Sequence, residues 1–554
     1  MARVWTQFGR FSLCIAGLCA CSSAATTGDT AAADANSAEV ALSVDSTAAD
    51  ANDAAVGEEV GPHDVAEDTE ADASAPDDAA TADPDVVIPA DAEPDVGDAG
   101  APDAAAPDVA FDGAPKTLWD LEAINNAATA NCQFTNKHTA YEGLTALDAW
   151  NVSYTSWEVI DGVPKPILIR GFAARPQGSS KLPGVVQAHG LGGMSKENDA
   201  TSLAAKLGVF AVAYTGPGGG DKPENTSEGL AAAAQDGYHM FDTLKDVRGS
   251  WFWGHATAAM RAVTCLTTRA DVDSTKLGVT GFSAGGVVST LLAAHDPRIL
   301  ASVPLSGTLA WDVATQSPTA WQHELLKQAK LTTSSPEWQK LIAELISPAA
   351  AFSPNSTAHL LALDGSNDEF FPLSALMATW STAPDSEKRL SLSANFDHGC
   401  YQLTAIVEDK KVIETRATEH ADGAQIMWFS HWFGTDSTYA YVPVAPQVSV
   451  QSAGGASLIA AVVDPGGAQL QIESVHAWVS TDDVYTFIDV PLSKSNGVYS
   501  KLLAGTQGPN TVYFVDATYT PKAFALVPVK VSISSPPFLP PGHVPHIRAM
   551  GNCL

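Results

Sequence analysis

Lys276-Leu277-Gly278-Val279-Thr280-Gly281-Phe282-Ser283-Ala284-Gly285-Gly286-Val287-Val288 is the stretch on which the fold is decided. Lys276 to Thr280 reads as a short buried strand. After the small residues that follow, Ser289 to His295 continues as a helix. Between strand and helix lies Gly281-x-Ser283-x-Gly285. A turn this tight requires neighbours without side chains, and it holds the serine at a strained backbone angle with its Oγ exposed. The helix that begins there points backbone N–H groups at any oxyanion forming nearby. A bare G-x-S-x-G arises by chance in many chains. Strand, G-x-S-x-G and helix in this order make a nucleophile elbow.

A nucleophilic serine needs a base, and the base needs an acid to orient it. Downstream, Ala358 to Leu363 reads as a strand that runs into Asp364-Gly365-Ser366-Asn367-Asp368-Glu369-Phe370-Phe371-Pro372. Asp368, in a loop bounded by Gly and Pro, is the candidate acid. Lys388 to Ala394 reads as a further strand and ends in Asn395-Phe396-Asp397-His398-Gly399, which makes His398 the candidate base. Asp364 and Asp397 compete for the acid role. Successive side chains leaving a strand point opposite ways, which argues against Asp397 serving its own neighbour. His431 lies in the Trp-rich helical run Ile426–Phe433 and reads as a packed histidine. Upstream, Val185-Val186-Gln187-Ala188-His189-Gly190-Leu191-Gly192-Gly193 is an apolar strand that ends in a glycine-rich turn. The backbone N–H groups of Leu191 and Ala284 are the candidate oxyanion donors. Neither G-x-x-x-x-G-K-[ST] nor a helix-opening G-x-G-x-x-G is present, so the turn does not read as a phosphate cradle. Gly216 to Asp221 reads as a loop after the strand Val209–Thr215.

With these pieces in place, residues from about 150 to 435 resemble the bacterial α/β-hydrolases of the dienelactone-hydrolase, acetyl-xylan-esterase and prolyl-oligopeptidase-like group. The matching motifs are His189-Gly190-Leu191-Gly192-Gly193, Gly281-Phe282-Ser283-Ala284-Gly285-Gly286, Gly365-x-x-Asp368 with Pro372, and Asp397-His398-Gly399. The resemblance implies a mostly parallel sheet flanked by helices and a Ser283–His398–Asp368 triad. It also implies the absence of any metal or other cofactor, and hydrolysis of an ester or, less often, an amide. A dienelactone hydrolase proper would carry a cysteine nucleophile, and the Arg-Gly-Gln element of cephalosporin-C deacetylases is missing. The substrate is left open by these departures. The favoured activity is cleavage of carboxylic esters from a small molecule or polymer. The alternatives are an oligopeptidase-like amidase and a non-catalytic surface protein built on a hydrolase scaffold.

The net charge of −33 over 554 residues is concentrated in one place. Ser22 to Gly113 holds 24 of the 63 Asp and Glu residues and no Lys or Arg, leaving 39 acidic against 30 basic residues elsewhere. A surface of that kind argues against nucleic acid as a partner, since phosphate binding needs a basic face. Residues 22–113 are rich in Ala, Asp and Pro and nearly devoid of aromatics. Such a tract cannot bury enough apolar area to offset its ordering entropy, so it reads as a disordered linker. As a coil it would span roughly 50 Å or more. No D-x-[DN]-x-[DN]-G period suggests calcium binding. Before it, Arg3 and Arg10 flank a short apolar run that ends in Leu18-Cys19-Ala20-Cys21. Residues 1–21 resemble a bacterial lipoprotein signal peptide with Cys21 as the lipidated residue. Ser22 in place of Asp favours the outer membrane. A plain secretory signal is the alternative. The expectation is an exported, membrane-tethered protein whose only contact with the bilayer is the lipid.

The catalytic domain is expected over 114–440. Leu118–Ala130 reads as helical, in an N-terminal extension running to about Ala149. About fifty residues between Ser306 and Ala358 have a helical pattern and carry Trp311, Trp321 and Trp338. They read either as a lid or as ordinary scaffold helices. Trp251-Phe252-Trp253 reads as core. From 441 to 535, seven short runs alternate with period two and predict a β-sandwich of immunoglobulin or fibronectin type, its role open between polymer binding and capping of the hydrolase. Residues 536–554 read as an extended tail. Cys132, Cys265, Cys400 and Cys553 allow two disulfides in three pairings, with a free buried thiol as the alternative for Cys265.

Overall fold

The computed structural model describes residues 113–233, 238–353, 356–384, 387–398, 418–453, 455–481, 486–504, 508, 510–522 and 529–541. The expected signal peptide, almost all of the linker, Cys21, Gly399, Cys400, Cys553 and the end of the tail lie outside these residues.

Among the described residues, nine strands make the hydrolase part of the sheet. They are β1 (Gln133–Glu142), β2 (Thr145–Ile160), β3 (Val163–Pro176), β4 (Leu182–Ala188), β5 (Phe210–Tyr214), β6 (Val272–Phe282), β7 (Ile299–Leu305), β8 (His359–Gly365) and β9 (Lys388–Ser393). Their spatial order is β1-β2-β3-β5-β4-β6-β7-β8-β9. The first three are antiparallel, whereas β4–β5, β4–β6, β6–β7, β7–β8 and β8–β9 pair in parallel. Parallel strands must be covered on both faces, and the sequence supplies this: Phe210-Ala211-Val212-Ala213-Tyr214 is buried at every position.

Period two divides these strands between two cores. Val186, Val212 and Val279 face helices α2 (Trp251–Thr267) and α3 (Ala284–His295). Val185, Ala211 and Ala213 face α1 (Glu197–Leu207) and the later helix Ala424–Phe433. The Trp251-Phe252-Trp253 run is buried at the start of α2, as the sequence suggests.

The N-terminal segment departs from expectation. Its helical stretch is broken into two single turns, Leu121–Ile124 and Ala127–Ala130. Asn126 stands between them, and its side chain caps the second by accepting from the N–H groups of Ala128 and Thr129. Residues 133–149 then form β1 and the start of β2, an antiparallel edge to the sheet. The segment is pinned to α2 in two ways. The buried Arg261 guanidinium donates to the carbonyls of Ala123, Ile124 and Asn126. Cys132 and Cys265 form a disulfide across 133 residues, so Cys265 is not a free thiol. A cross-link of that length removes about 5 kcal/mol of chain entropy from the unfolded state in the loop-entropy account.

Between β7 and β8 run short helices, including α4 (Trp321–Gln328). Trp311 and Trp338 are buried in the main core, whereas Trp321 is only half-buried. The helices therefore behave largely as scaffold and leave one aromatic at the rim. Helices α5 (Leu373–Thr382) and α6 (Ala424–Phe433) complete the flanking layers.

The C-terminal strands are β10 (Gln447–Ala453), β11 (Ala456–Val462), β12 (Leu470–Ser480), β13 (Ile488–Pro491), β14 (Ser493–Ser495), β15 (Val498–Ala504), β16 (Val512–Pro521) and β17 (Val531–Ser534). They form two sheets. One is four-stranded, in the order β10-β11-β15-β14. The other, β17-β16-β12-β13, continues the hydrolase sheet through β9 to a total of 13 strands. Ser534 pairs with Leu390, and the Ser534 Oγ accepts from the Leu392 N–H at 2.9 Å. Ile459 and Ala461 of one sheet share a core with Val475, Ala477, Val515 and Ile533 of the other, as in a sandwich. The strand-to-strand junction with the hydrolase is the feature that period-two patterning does not foretell.

Candidate active site

β6 delivers Ser283 to the C-terminal edge of the parallel strands, and α3 begins immediately after it. The backbone of Ser283 has φ 61° and ψ −122°, a conformation that L residues rarely adopt. It is held there by its own N–H, which donates to the Leu305 carbonyl at 2.9 Å. The flanking glycines are obligatory. A Cβ on Gly285 would lie 2.1 Å from the Ala188 carbonyl oxygen, and one on Gly281 would lie 2.6 Å from the same atom. The elbow therefore packs directly on the end of β4.

His398 reaches this serine from the loop after β9. Its Nε2 lies 2.9 Å from Ser283 Oγ, and its Nδ1 lies 2.8 Å from Asp368 Oδ2. The other Asp368 oxygen accepts from the N–H groups of Phe370 at 2.9 Å and Phe371 at 2.8 Å. Ser283, His398 and Asp368 come from three strand ends far apart in sequence and meet in one buried array. Asp397 is buried beside them, but both ring nitrogens of His398 are already taken by Ser283 and Asp368.

Asp368, Glu369 and Asp397 surround the imidazole, with Asp364 behind Asp368, and their environments differ. Burial opposes ionisation of Asp368, but the facing histidine and the bonds from Phe370 and Phe371 outweigh it and hold the acid below its ordinary value. Asp364 is fully buried at the end of β8, where its Oδ1 accepts from the Gly365 N–H at 2.8 Å. Burial, followed by the Asp368 charge, pushes Asp364 well above the carboxylate range. Glu369 is pushed up to about 7 by burial and by Asp368, and its Oε2 accepts from the His398 N–H at 3.0 Å. For His398, burial alone would lower the pKa. Asp368, Glu369 and Asp397 override it, and the net shift is upward from 6.5. The downward shift of Asp368 and the upward shift of His398 are the two changes an ion pair requires.

The second wall of the site is the His189–Gly193 turn. Gly190 packs on Ser283, where an added Cβ would come 3.2 Å from the serine Cβ. The Gly193 N–H donates to the Gly190 carbonyl and closes the turn around Leu191. Leu191 thus sits in the loop against Ser283, and Ala284 is the first residue of α3, where N–H groups lack intrahelical acceptors. Below the turn, His189 Nδ1–H donates to the Gly190 carbonyl at 2.7 Å, and Nε2 accepts from the Gly216 N–H at 2.8 Å. Burial pushes this ring down to about 4, so it is a neutral brace. Phe282 and Phe370 flank the His398 ring at 4.7 and 4.4 Å, and Trp321 stacks on Phe370 at 4.3 Å. Among the described residues no group of His, Cys, Asp and Glu is arranged to hold a metal ion. His431 Nδ1–H donates to the Tyr439 carbonyl at 2.9 Å, as a packed residue of α6.

Residues 169–432 match the family described as dienelactone hydrolase. The match covers the elbow, the glycine-rich turn and the strand ends that carry Asp368 and His398. The fold is that of an α/β-hydrolase. The chain is 24% identical over 255 residues to 2,6-dihydropseudooxynicotine hydrolase of Paenarthrobacter nicotinovorans. That match takes in 44% of this chain and 59% of the relative, so the chain spans less than two thirds of the curated relative's length. Among solved structures, it is similar to an acetyl xylan esterase from Paenibacillus sp. R4 (19% identity, TM-score 0.42, covering 51% of this chain and 88% of that one). It is also similar to acetyl xylan esterase 1 from Thermoanaerobacterium sp. JW/SL YS485 (20% identity, TM-score 0.39, covering 49% and 83%).

Sequence reasoning did not single out Glu369, the buried setting of Asp364, or the clamp on Asn395. Glu369 is adjacent to Asp368 and lies in the same polar loop. Only the folded turn shows that its side chain caps the backbone of His398.

Proposed function

We propose that the protein is a serine hydrolase that cleaves carboxylic esters through an acyl-enzyme intermediate. The observation that supports this most is the position of His398, within hydrogen-bond reach of both Ser283 at the elbow and Asp368. In this reading the Ser283 Oγ attacks the ester carbonyl carbon while Nε2 of His398 takes its proton. The Leu191 and Ala284 N–H groups stabilise the oxyanion. The tetrahedral adduct expels the alkoxide, which takes the proton back from His398 and leaves as alcohol. Water, deprotonated by the same imidazole, then releases the acid. Asp368 holds the ring in register and stabilises it once charged.

The test is a panel of p-nitrophenyl esters of short acids against aminoacyl p-nitroanilides, run over a pH series. Esters are expected to exceed anilides in kcat/KM by about a hundredfold or more, an alcohol being the easier leaving group. His398 must be neutral to accept the proton. Because its pKa is raised in the folded protein, the rate falls as pH drops through a midpoint above 6.5. Preference for anilides would favour a peptidase. Turnover of neither class would favour a non-catalytic scaffold.

The cellular setting is a separate proposal that rests on sequence alone: Cys21 is lipidated, and residues 22–113 hold the enzyme away from an envelope membrane. Cys21→Ala is expected to move the protein from the membrane pellet to the soluble fraction with kcat unchanged. Unaltered fractionation would contradict the anchor.

A further inference from the structure

Asn395 ties the C-terminal strands to the loop that carries His398. Asn395 lies three positions before His398, at the point where β9 ends and the chain turns into the histidine loop. Its backbone is left-handed, φ 61°, and it is 7% exposed. Asn tolerates that conformation better than most side-chain-bearing residues, but here the side chain also has a specific task. Its Nδ2 donates to the Phe487 carbonyl at 2.9 Å, and its Oδ1 accepts from the Phe487 N–H at 2.7 Å. The amide thus mimics a β-bridge partner for a residue 92 positions away, just before β13.

Phe487 is itself fixed. Its ring is 2% exposed and packs at 5.5 Å from that of Phe514. It belongs to a core built jointly from the hydrolase residues Leu376, Leu390, Leu392 and Ala394 and the C-terminal residues Trp478, Val512 and Phe514. On its other side, Asn395 donates its N–H to Ser366 Oγ at 2.8 Å, and the Phe396 carbonyl accepts from the Asn367 N–H at 2.9 Å. The Asn395 turn therefore links the loop that carries Asp368, the loop that carries His398 and the C-terminal sheet.

We propose that Asn395 is a positioning residue through which the C-terminal sandwich sets the His398 imidazole between Ser283 and Asp368. The sandwich is then part of the catalytic apparatus and not an appended module. This rests on the triad reading above. The groups that face the imidazole are Ser283 on the elbow, Asp368 and Glu369 on the loop after β8, and Asp397 on its own loop, with Asp364 behind Asp368. A histidine that drifts from Asp368 loses the main attraction that opposes its burial. Its pKa falls, and the acid limb of the rate profile moves to lower pH.

The experiment uses the full chain with Asn395→Gly, which keeps the left-handed backbone and removes both amide bonds, and Asn395→Asp, which keeps the acceptor alone. Asn395→Gly is expected to lower kcat about ten- to a hundredfold at unchanged KM, the scale of a small misplacement of a reacting group. The acid limb should shift downward. Asn395→Asp should fall between Asn395→Gly and wild type. Combined with Asp368→Asn, the Asn395→Gly loss should largely vanish, since both changes act on one imidazole. If Asn395→Gly lowers the melting temperature yet leaves kcat and the acid limb unmoved well below Tm, the residue is structural only and the proposal fails. Additive losses in the double variant would overturn it as well. In either case a normal Ser283-dependent rate in wild type would leave the triad reading standing. If Asn395→Gly does not fold, Asn395→Asp decides by the same two readouts.

Discussion

Ser283→Ala is expected to lower kcat by about six orders of magnitude while the fold survives. The magnitude follows from the role: without its nucleophile the covalent route is closed, and only oxyanion stabilisation and binding remain, worth about 10³–10⁴ over water. The fold should persist because the constraints at the elbow are carried by the backbone. The strained φ is held by the Ser283 N–H on Leu305, and the close approach to Ala188 belongs to Gly281 and Gly285. Loss of one hydroxyl disturbs neither. Circular dichroism and thermal melting should match wild type, with esterase activity at the detection limit. Activity within a hundredfold of wild type would place the nucleophile elsewhere.

Asp368→Asn is expected to lower kcat by about 10³–10⁴. An amide oxygen cannot replace both the charge and the acceptor at His398 Nδ1, so the ring turns to the wrong tautomer and cannot accept from Ser283. The two N–H groups of Phe370 and Phe371 would still find an oxygen, so the loop should hold. Asp397→Asn should cost at most about tenfold, because it occupies neither ring nitrogen. Asp364→Asn should be milder than Asp368→Asn as well. Burial and the Asp368 charge already oppose a charge on Asp364, so replacing its carboxyl by a neutral amide should cost less. Steady-state kinetics on the three variants check the order. If Asp364→Asn or Asp397→Asn is the more damaging change, the assignment of the acid is wrong.

The candidate site is legible in the sequence because each of its parts is local. The elbow is declared by Gly281 and Gly285 around Ser283, and the candidate acid and base each sit one short turn past an apolar strand. Preferring Asp368 to Asp397 as the candidate acid needs only the alternation of side chains along a chain. What stays hidden is non-local or polar. Gln133–Glu142 is an exposed edge strand with charged and polar residues at most positions, so it carries no hydrophobic period to betray it. The C-terminal strands show period two, but nothing local says that Ser534 will pair with Leu390. The Asn395 amide meets Phe487 across 92 residues. The pairing of Cys132 with Cys265 follows from where α2 lies, not from cysteine spacing.

The most direct test of the central claim is covalent labelling with a fluorophosphonate, followed by peptide mapping of the adduct. The account predicts one labelled residue, Ser283, with labelling absent in Ser283→Ala and slowed by orders of magnitude in His398→Ala. An adduct on any other residue, or Ser283 unlabelled in a folded protein, would contradict it.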